Sequence, residues 1–498
     1  MPVPVPRTAP TDDAAAPPTP AAPAGPTGNV LIARMAVHAD LSQEAAMPRG
    51  PERKQAVYDD LVETARTSQV DALAALAKLQ ASGDVTKVES MFLPNAILVT
   101  TKPGSDATVT QALQGVANVS AVTENHTWNV KTVEGPSTTG AAGAAAGAAL
   151  LEFARGYIDG PAWRGRVPTD ATDPVVEPRP PGVSGAPEWG VAKIGAPAAW
   201  SRGIDGTGVT IGVVDTGLDA DHPAIKGHYR GTNADGTQSN DYNWFDPLNH
   251  AAKPFDDGEH GTHVGGTSAG GTDGHQIGVA PGAKLIAAKA INGAGYNTSD
   301  ATLKALQWML APTRTDGTAP DPTKGADVIN NSWGSANPDD LFLESFNALK
   351  AAGIEVVSAA GNEGPREGSV SAPGSYPGFL SVAASNARDG IASFSSRGPS
   401  KFAKPEDMVP NVAAPGANVM SSIPGGKYEG MSGTSMASPH VAGAVALLLQ
   451  ANPQATHDQI VKALESTATD IDRPGPDTAA GYGRINVNAA IDQVTAGA

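Results

Sequence analysis

Beyond residue 187 the chain alternates between two kinds of segment. Short β-branched and apolar runs at 209–214, 284–289, 328–330, 356–359 and 379–382 lack polar alternation, as strands buried on both faces should. Helices fit at 260–268, 298–310, 340–352, 435–450 and 456–465. This alternation predicts a mostly parallel sheet covered on both faces, a three-layer α/β sandwich. Residues 441–449 are almost wholly apolar, too short to span a membrane, and read as a buried core helix. Pro439 is expected in the first turn of that helix, where its missing N–H costs nothing.

The earlier part of the chain is patterned differently. A strand at 30–37 precedes a charged periodic helix at 51–82, with Val57, Leu61, Val62 and Ala65 and then Val70, Leu73, Leu76 and Leu79 at helical spacing. Strands at 85–92 and 96–101, a helix at 106–116 and a strand at 119–133 complete the order β-α-β-β-α-β, that of a small ferredoxin-like α+β domain. Residues 1–28, rich in Pro, Ala and Thr, read as a disordered tail. Residues 134–187 read as a linker with a short helix at 150–157, and as the place where processing by proteolysis is expected. The expected division is therefore 1–28, 29–133, 134–187 and 188–498.

Hydrophobic residues make up 40% of the 498, enough for a sizeable core, and the net charge of −17 argues against nucleic acid or an anionic membrane as partner. The absence of cysteine excludes disulfides, thiolate metal sites and thiol catalysis. No run has transmembrane length, and residues 1–28 lack the basic-then-apolar layout of a signal peptide, so no export route is legible.

Four motifs carry chemistry. Asp215 closes an apolar strand, the end at which open parallel sheets build sites. His260 and His263 stand in a run of small residues, without the glutamate of H-E-x-x-H. Asn362 lies in a Gly-rich turn after another strand. Ser435 is delivered by small residues to the start of the core helix, where free N–H groups and the positive dipole end favour an oxyanion. Singly, each reads as a turn former or a structural residue. Together they supply a nucleophile, a base, an orienting carboxylate and an oxyanion donor. The order Asp215, His260, Ser435 differs from that of α/β-hydrolases, and Ala437 replaces the last glycine of G-x-S-x-G.

On these motifs, residues 189–497 resemble the subtilisin-like serine proteases, in particular the bacillopeptidase F type. The matching stretches are 189–191, 211–217, 260–267, 328–334, 359–364 and 433–443. The resemblance implies Asp215 as orienting acid, His260 as general base and then acid, Ser435 as nucleophile and Asn362 as oxyanion donor, with His263 outside the chemistry. It implies an extended polypeptide substrate beside Ser332, Trp333 and Gly334, near Gly293 and Gly295, with a pocket walled by Ser332–Gly334 and by Ala359, Ala360 and Gly361. No acid in those segments would select a basic side chain, so an apolar or broad preference is expected. Residues 29–133 resemble, more weakly, the inhibitory propeptide of such proteases, which implies a self-processing zymogen with its own N-terminal domain as intramolecular inhibitor, acting as a monomer outside the cell. The chemistry implies no cofactor. A structural calcium is part of the resemblance, yet the family's strong site uses an acid just after the His-Pro of the Asp motif, where this chain has Ala224, and 270–276 replaces its polar loop. Asp219, Asp221, Asp256 and Asp257 remain as other ligand candidates. The competing readings are a catalytically silent binding protein on a protease fold, against the intact set of four residues, and an esterase on an α/β-hydrolase fold, against the chain order.

Overall fold

In the computed structural model, which describes residues 29–129, 186–335, 340–404 and 407–496, the N-terminal pattern becomes a four-stranded antiparallel sheet. Strands β1 (Val30–Met35), β2 (Val85–Met91), β3 (Ala96–Thr101) and β4 (Val119–Glu124) lie in the order β2-β3-β1-β4, with helices in both crossovers, as in the expected ferredoxin-like domain. The helix expected over 51–82 is two helices, Pro51–Ser68 and Val70–Ser82, broken at Gln69. The Gln69 side chain is fully buried, donates to Asn95 Oδ1 (2.9 Å) and the Met91 carbonyl (3.2 Å), and accepts from Ser90 Oγ (2.7 Å). A buried amide must be hydrogen-bonded, and the chain bends to deliver this one to the β2–β3 turn. The expected strand over 119–133 also divides. After β4, residues Thr127–Asn129 form β5, which leaves the domain. The tail 1–28, the helix at 150–157 and the expected processing region, apart from residues 186 and 187, lie outside the described residues.

The larger domain is built on strands β6 (Thr210–Asp215), β7 (Trp244–Phe245), β10 (Lys284–Lys289), β12 (Val328–Asn331), β13 (Glu355–Ala359), β14 (Leu380–Ser385) and β15 (Val412–Pro415). Between them come the small ribbon of β8 (Gly271–Thr272) and β9 (His275–Gln276), and the edge strand β11 (Tyr296–Thr298); the hairpin β16 (Val419–Ile423) and β17 (Lys427–Met431) follows. The seven strands form one parallel sheet in the order β15-β14-β13-β12-β6-β10-β7. Successive residues face opposite cores. Val213, Val357 and Val382 meet the helices His260–Ala269 and Thr434–Ala451; Val214, Ile329 and Val356 meet the helices Ser299–Leu310 and Leu343–Ala351. Each such fully buried aliphatic side chain contributes roughly 1.5–3 kcal/mol by leaving water. From β6 the chain runs to the outermost strand β7, comes back to β10 beside β6, and then crosses to β12 on the other side of β6. The crevice of a doubly covered sheet opens at that reversal, beyond the carboxyl ends of β6 and β12.

The helix Thr434–Ala451 starts before the serine, so Pro439 lies inside the helix and not in its first turn as expected. A proline there deprives the carbonyl four residues earlier of its helical donor. That carbonyl belongs to Ser435, and Ser332 Oγ donates to it instead (2.8 Å), joining the serine helix to the end of β12.

The two domains meet on one face of the sheet. Ile32, Leu61 and Leu98 of the N-terminal domain complete the core over Ser299–Leu310 and Leu343–Ala351. At the end of the sheet opposite the crevice, three cations add a polar clamp. Arg53 donates to the carbonyls of Ala351 (2.6 Å) and Lys350 (3.2 Å), which end a helix and carry its negative dipole end. Lys54 bonds the Gly325 carbonyl (3.0 Å) and Asp327 (2.7 Å). Arg49 reaches the carbonyls of Gly353 and Ala455 and the buried carboxylate of Glu355, which also accepts from His457 Nδ1 (2.7 Å). Burial alone would raise the Glu355 pKa; the His457 hydrogen bond and the charges of His457 and Arg49 outweigh it and lower the value to about 2. Glu355 thus contributes stability that is present above its ordinary 4.5 and lost as pH falls toward about 2. In full-length Ser435→Ala protein, Arg49→Ala should lower the unfolding free energy by about 2–5 kcal/mol at neutral pH, since one partner of a buried charge network is removed. Denaturant unfolding of the pair, repeated near pH 3, should show the difference shrinking; an equal difference at both pH values would contradict this account of Glu355.

Candidate active site

Asp215 ends β6 and is fully buried. His260 Nδ1–H donates to its Oδ1 at 2.7 Å, and the Thr216 backbone N–H donates to the same oxygen at 2.7 Å. The turn before the His260 helix creates this approach. Glu259 has φ +64° and sits at the centre of a three-residue turn closed by His260 N–H to the Gly258 carbonyl at 2.7 Å. That conformation is strained for a residue with a Cβ, and it is held from outside. Asp256 Oδ2 accepts from the Thr262 N–H (2.8 Å) and hydroxyl (2.6 Å), capping the helix in place of Glu259, while Thr216 Oγ1 takes the Gly261 N–H (2.8 Å). At Gly261 a Cβ would meet the Gly217 carbonyl at 2.2 Å, so the acid turn and the helix touch backbone to backbone.

Electrostatics separate His260 from two other buried histidines, His263 and His440. For His260, burial opposes the charged form, but the charge and hydrogen bond of Asp215, with Asp256 behind, reverse that and raise its pKa above 6.5. His263 is driven by burial down to about 3, with the neighbouring His260 adding to the shift; its Nε2–H donates to the carbonyls of Val419 (3.0 Å) and Glu429 (3.1 Å). Burial likewise lowers His440 to about 4, and its Nδ1–H is held by the Met436 carbonyl at 2.8 Å. Of these three, His260 is the one poised to trade a proton near neutral pH.

Ser435 stands on the helix that packs against the His260 helix. Its hydroxyl donates to the Ser332 carbonyl at 2.9 Å, and His260 Nε2 has no hydrogen-bond partner among the described residues. Asn362 is fixed by its Oδ1, which accepts from the Thr434 N–H and hydroxyl, each at 2.9 Å. Its Nδ2 and the Ser435 backbone nitrogen lie close to each other: a Cβ at Gly433 would be 3.6 Å from the first and 3.5 Å from the second. A side-chain amide and a backbone N–H near one hydroxyl are the groups an anion hole is made from.

Of the expected substrate-binding residues, Ser332 and Trp333 are buried at the end of β12, Trp333 against Phe342 (ring centroids 5.5 Å). Ala359 and Ala360 are buried too, and Ala360 uses its backbone on Val382 (3.0 Å) and Ser371 (3.1 Å), so it is wall and not contact surface. Gly293 abuts Asp257, where a Cβ would meet the Asp257 carbonyl at 2.6 Å, and Gly295 takes φ +79° in the turn before β11. Two residues outside the expected segments join this pocket. Ser371 Oγ would lie 2.6 Å from a Cβ at Gly334 and 2.5 Å from one at Gly361, and Glu363 Oε2 would lie 2.7 Å from the latter. A carboxylate therefore does stand beside the pocket wall. Glu363 follows Asn362 directly and was legible as a neighbour; Ser371 reaches the site through a long loop and left no local signal.

Calcium does not fit the position that the resemblance names. Ala224 is fully buried, its N–H held by His222 Nδ1 at 3.0 Å. Residues 270–276 form the β8–β9 ribbon, where His275 Nε2–H donates to Glu188 Oε1 (2.8 Å). Three of the four other candidate acids are committed to protein donors, Asp219 to Asp221 and Gly425, Asp256 to Thr216, Gly258 and Thr262, and Asp257 to Lys289, while exposed Asp221 accepts from Gln238 (3.3 Å). Among the described residues no group of three or more His, Asp or Glu side chains could hold an ion.

A family model described as the Subtilase family matches residues 206–483. The sequence is 42% identical over 326 residues to bacillopeptidase F of Bacillus subtilis (strain 168), which covers 62% of this chain and 22% of that protein. It is 35% identical over 303 residues to subtilisin Savinase of Lederbergia lenta (61% of this chain, 97% of that one) and 36% identical over 307 residues to subtilisin E of Bacillus subtilis (61% and 70%). The chain thus spans less than a quarter of the first relative and most of the other two.

Ser435 should be the one residue modified by a serine-directed phosphonate, and the labelling rate should fall with acid through a midpoint above pH 6.5, because a protonated His260 cannot accept the hydroxyl proton. A midpoint below 6.5 would contradict the Asp215–His260 coupling. A chelator should change the thermal midpoint by no more than about 2 °C, since a ligand with no site adds no linkage term; a large drop would reveal calcium on other ligands.

Proposed function

The chain belongs to the subtilase family of serine peptidases, and from that premise we propose that it is an endopeptidase that cleaves polypeptides through an acyl-enzyme on Ser435 and is made as a self-processing zymogen. The observation that carries the catalytic reading is the 2.7 Å bond between His260 Nδ1–H and Asp215. The Ser435 hydroxyl swings from the Ser332 carbonyl to His260 Nε2, gives up its proton and attacks the substrate carbonyl. The Ser435 N–H and Asn362 Nδ2 receive the oxyanion. His260 returns the proton to the leaving amine, and water repeats the sequence to release the acid product. Asp215 fixes the tautomer and stabilises the imidazolium without taking its proton. The expected pocket between 332–334 and 359–361, with Ser371 near Gly334 and Gly361 and Glu363 near Gly361, favours broad side-chain acceptance and admits basic side chains as well as apolar ones.

The zymogen reading rests on β5. It pairs antiparallel with β11, Trp128 opposite Asn297, as an extended peptide adds to an exposed edge. Trp128 packs on Phe342 (5.8 Å) and Trp333 (6.4 Å), and Asn129 Nδ2 donates to the Ala294 carbonyl (3.3 Å), so β5 runs toward Gly293 and the His260 turn. The N-terminal domain thereby occupies the strip a substrate needs, and processing falls in 133–187. Ser435→Ala protein should stay full length and cleave no peptide, while the active form separates into two pieces, as intact-mass measurement shows. A separately produced 1–187 piece should inhibit the processed enzyme. Cleavage by a pure Ser435→Ala sample would overturn the nucleophile; lack of inhibition in trans would leave the N-terminal domain merely structural.

A further inference from the structure

We propose that Lys289 is a positioning residue for catalysis, holding the acid turn, the base turn and the substrate edge in one register. The inference rests on the roles of Asp215, His260 and Ser435 proposed above. Lys289 is the last residue of β10 and the register partner of Asp215, the last residue of β6. It is fully buried in a strand whose preceding four residues are all apolar. An ammonium placed there is costly unless every donor is satisfied. All three N–H groups have an acceptor: the Thr216 carbonyl, Asp257 Oδ1 and the Ile291 carbonyl (3.1 Å). The Phe255 ring lies over the charge, its centroid 4.9 Å from Nζ.

Each acceptor belongs to a different part of the site. Thr216 binds the catalytic carboxylate through its N–H and the His260 helix through its hydroxyl. Lys289 holds its remaining polar group, the carbonyl. Asp257 lies in the turn that ends in the strained Glu259 and presents His260. Ile291 donates its N–H to the Asp215 carbonyl (3.1 Å) and opens the loop that leads to β11. One ammonium therefore ties together three loops that no continuous stretch of secondary structure joins. Asp257 is half exposed and would be solvated without a lysine, so the Asp257 charge does not explain the burial. The two carbonyls do: each is a turn acceptor near the triad that has this ammonium as its donor. Loss of that donor lets the acid and base turns drift, and a drift near 1 Å in catalytic geometry costs on the order of 10²-fold.

The test compares Lys289→Met, which keeps the apolar stem and removes the charge, with Asp257→Ala, which removes one acceptor from a half-exposed turn. Both are assayed as processed enzyme on a short chromogenic peptide, with the concentration of active sites fixed by phosphonate titration. Lys289→Met should lose roughly 10- to 100-fold in kcat with KM within about threefold, and Asp257→Ala roughly 3- to 10-fold in kcat with the same KM. A residue that serves folding alone would lower the yield and thermal midpoint but leave kcat per titrated site within about twofold, and that result overturns the proposal. So does a rise in KM at unchanged kcat. If Lys289→Met does not fold, Asp257→Ala decides alone, and a parental kcat there overturns the proposal. Ser435→Ala, assayed in parallel, keeps the two readings apart: activity in that control refutes the catalytic assignment, whereas an inactive control with a normal Lys289→Met refutes only this inference.

Discussion

A single carboxylate oxygen, Asp215 Oδ1, is shared between the His260 ring and the Thr216 backbone, and the surrounding loops are arranged to keep it so. The carboxylate is fully buried, so its charge must be met by donors that arrive in the right direction. Thr216 can supply its N–H only while its hydroxyl is engaged by Asp256 and Gly261. His260 can supply its ring only while Glu259 is held at positive φ. The parallel sheet sets the stage by ending β6 where the chain reverses, but the fine placement belongs to the loops.

The sheet was legible because strands buried on both faces have no polar positions to obscure them, as at 209–214, and because the catalytic types stand where those strands end. Asp215, His260, Asn362 and Ser435 could be read from chain order and small neighbours. What escaped depends on partners distant in sequence. The break at Gln69 answers to the β2–β3 turn, and the apolar spacing on either side of it continues almost unbroken. Pro439 looked like a first-turn proline, since nothing local shows that Ser332 supplies the Ser435 carbonyl with a substitute donor. Ser371 and Lys289 reach the site from a loop and from a strand that read as structural. Charge patterning hid the clamp as well: Arg49, Arg53 and Lys54 resemble the solvated face of an amphipathic helix, yet they close onto carbonyls and carboxylates of the other domain.

The ribbon of β8 and β9 shows how one scaffold tolerates different fastenings. Where the family resemblance implies an ion, this chain has a His275–Glu188 contact and an Ala224 methyl packed from solvent.

The N-terminal domain meets the peptidase domain at well-separated places, through β5 at the crevice, through Ile32, Leu61 and Leu98 over the helices, and through the arginine clamp at the far end of the sheet. A rigid body held at several separated places behaves as a multivalent ligand. When one contact opens, the others keep its partner at a high effective concentration, so re-closure outpaces escape. Spontaneous departure requires all the contacts to be open at once, which is far rarer than any one opening alone. The quicker exit is destruction of the body that links them, since an unfolded or nicked domain loses the avidity in one event.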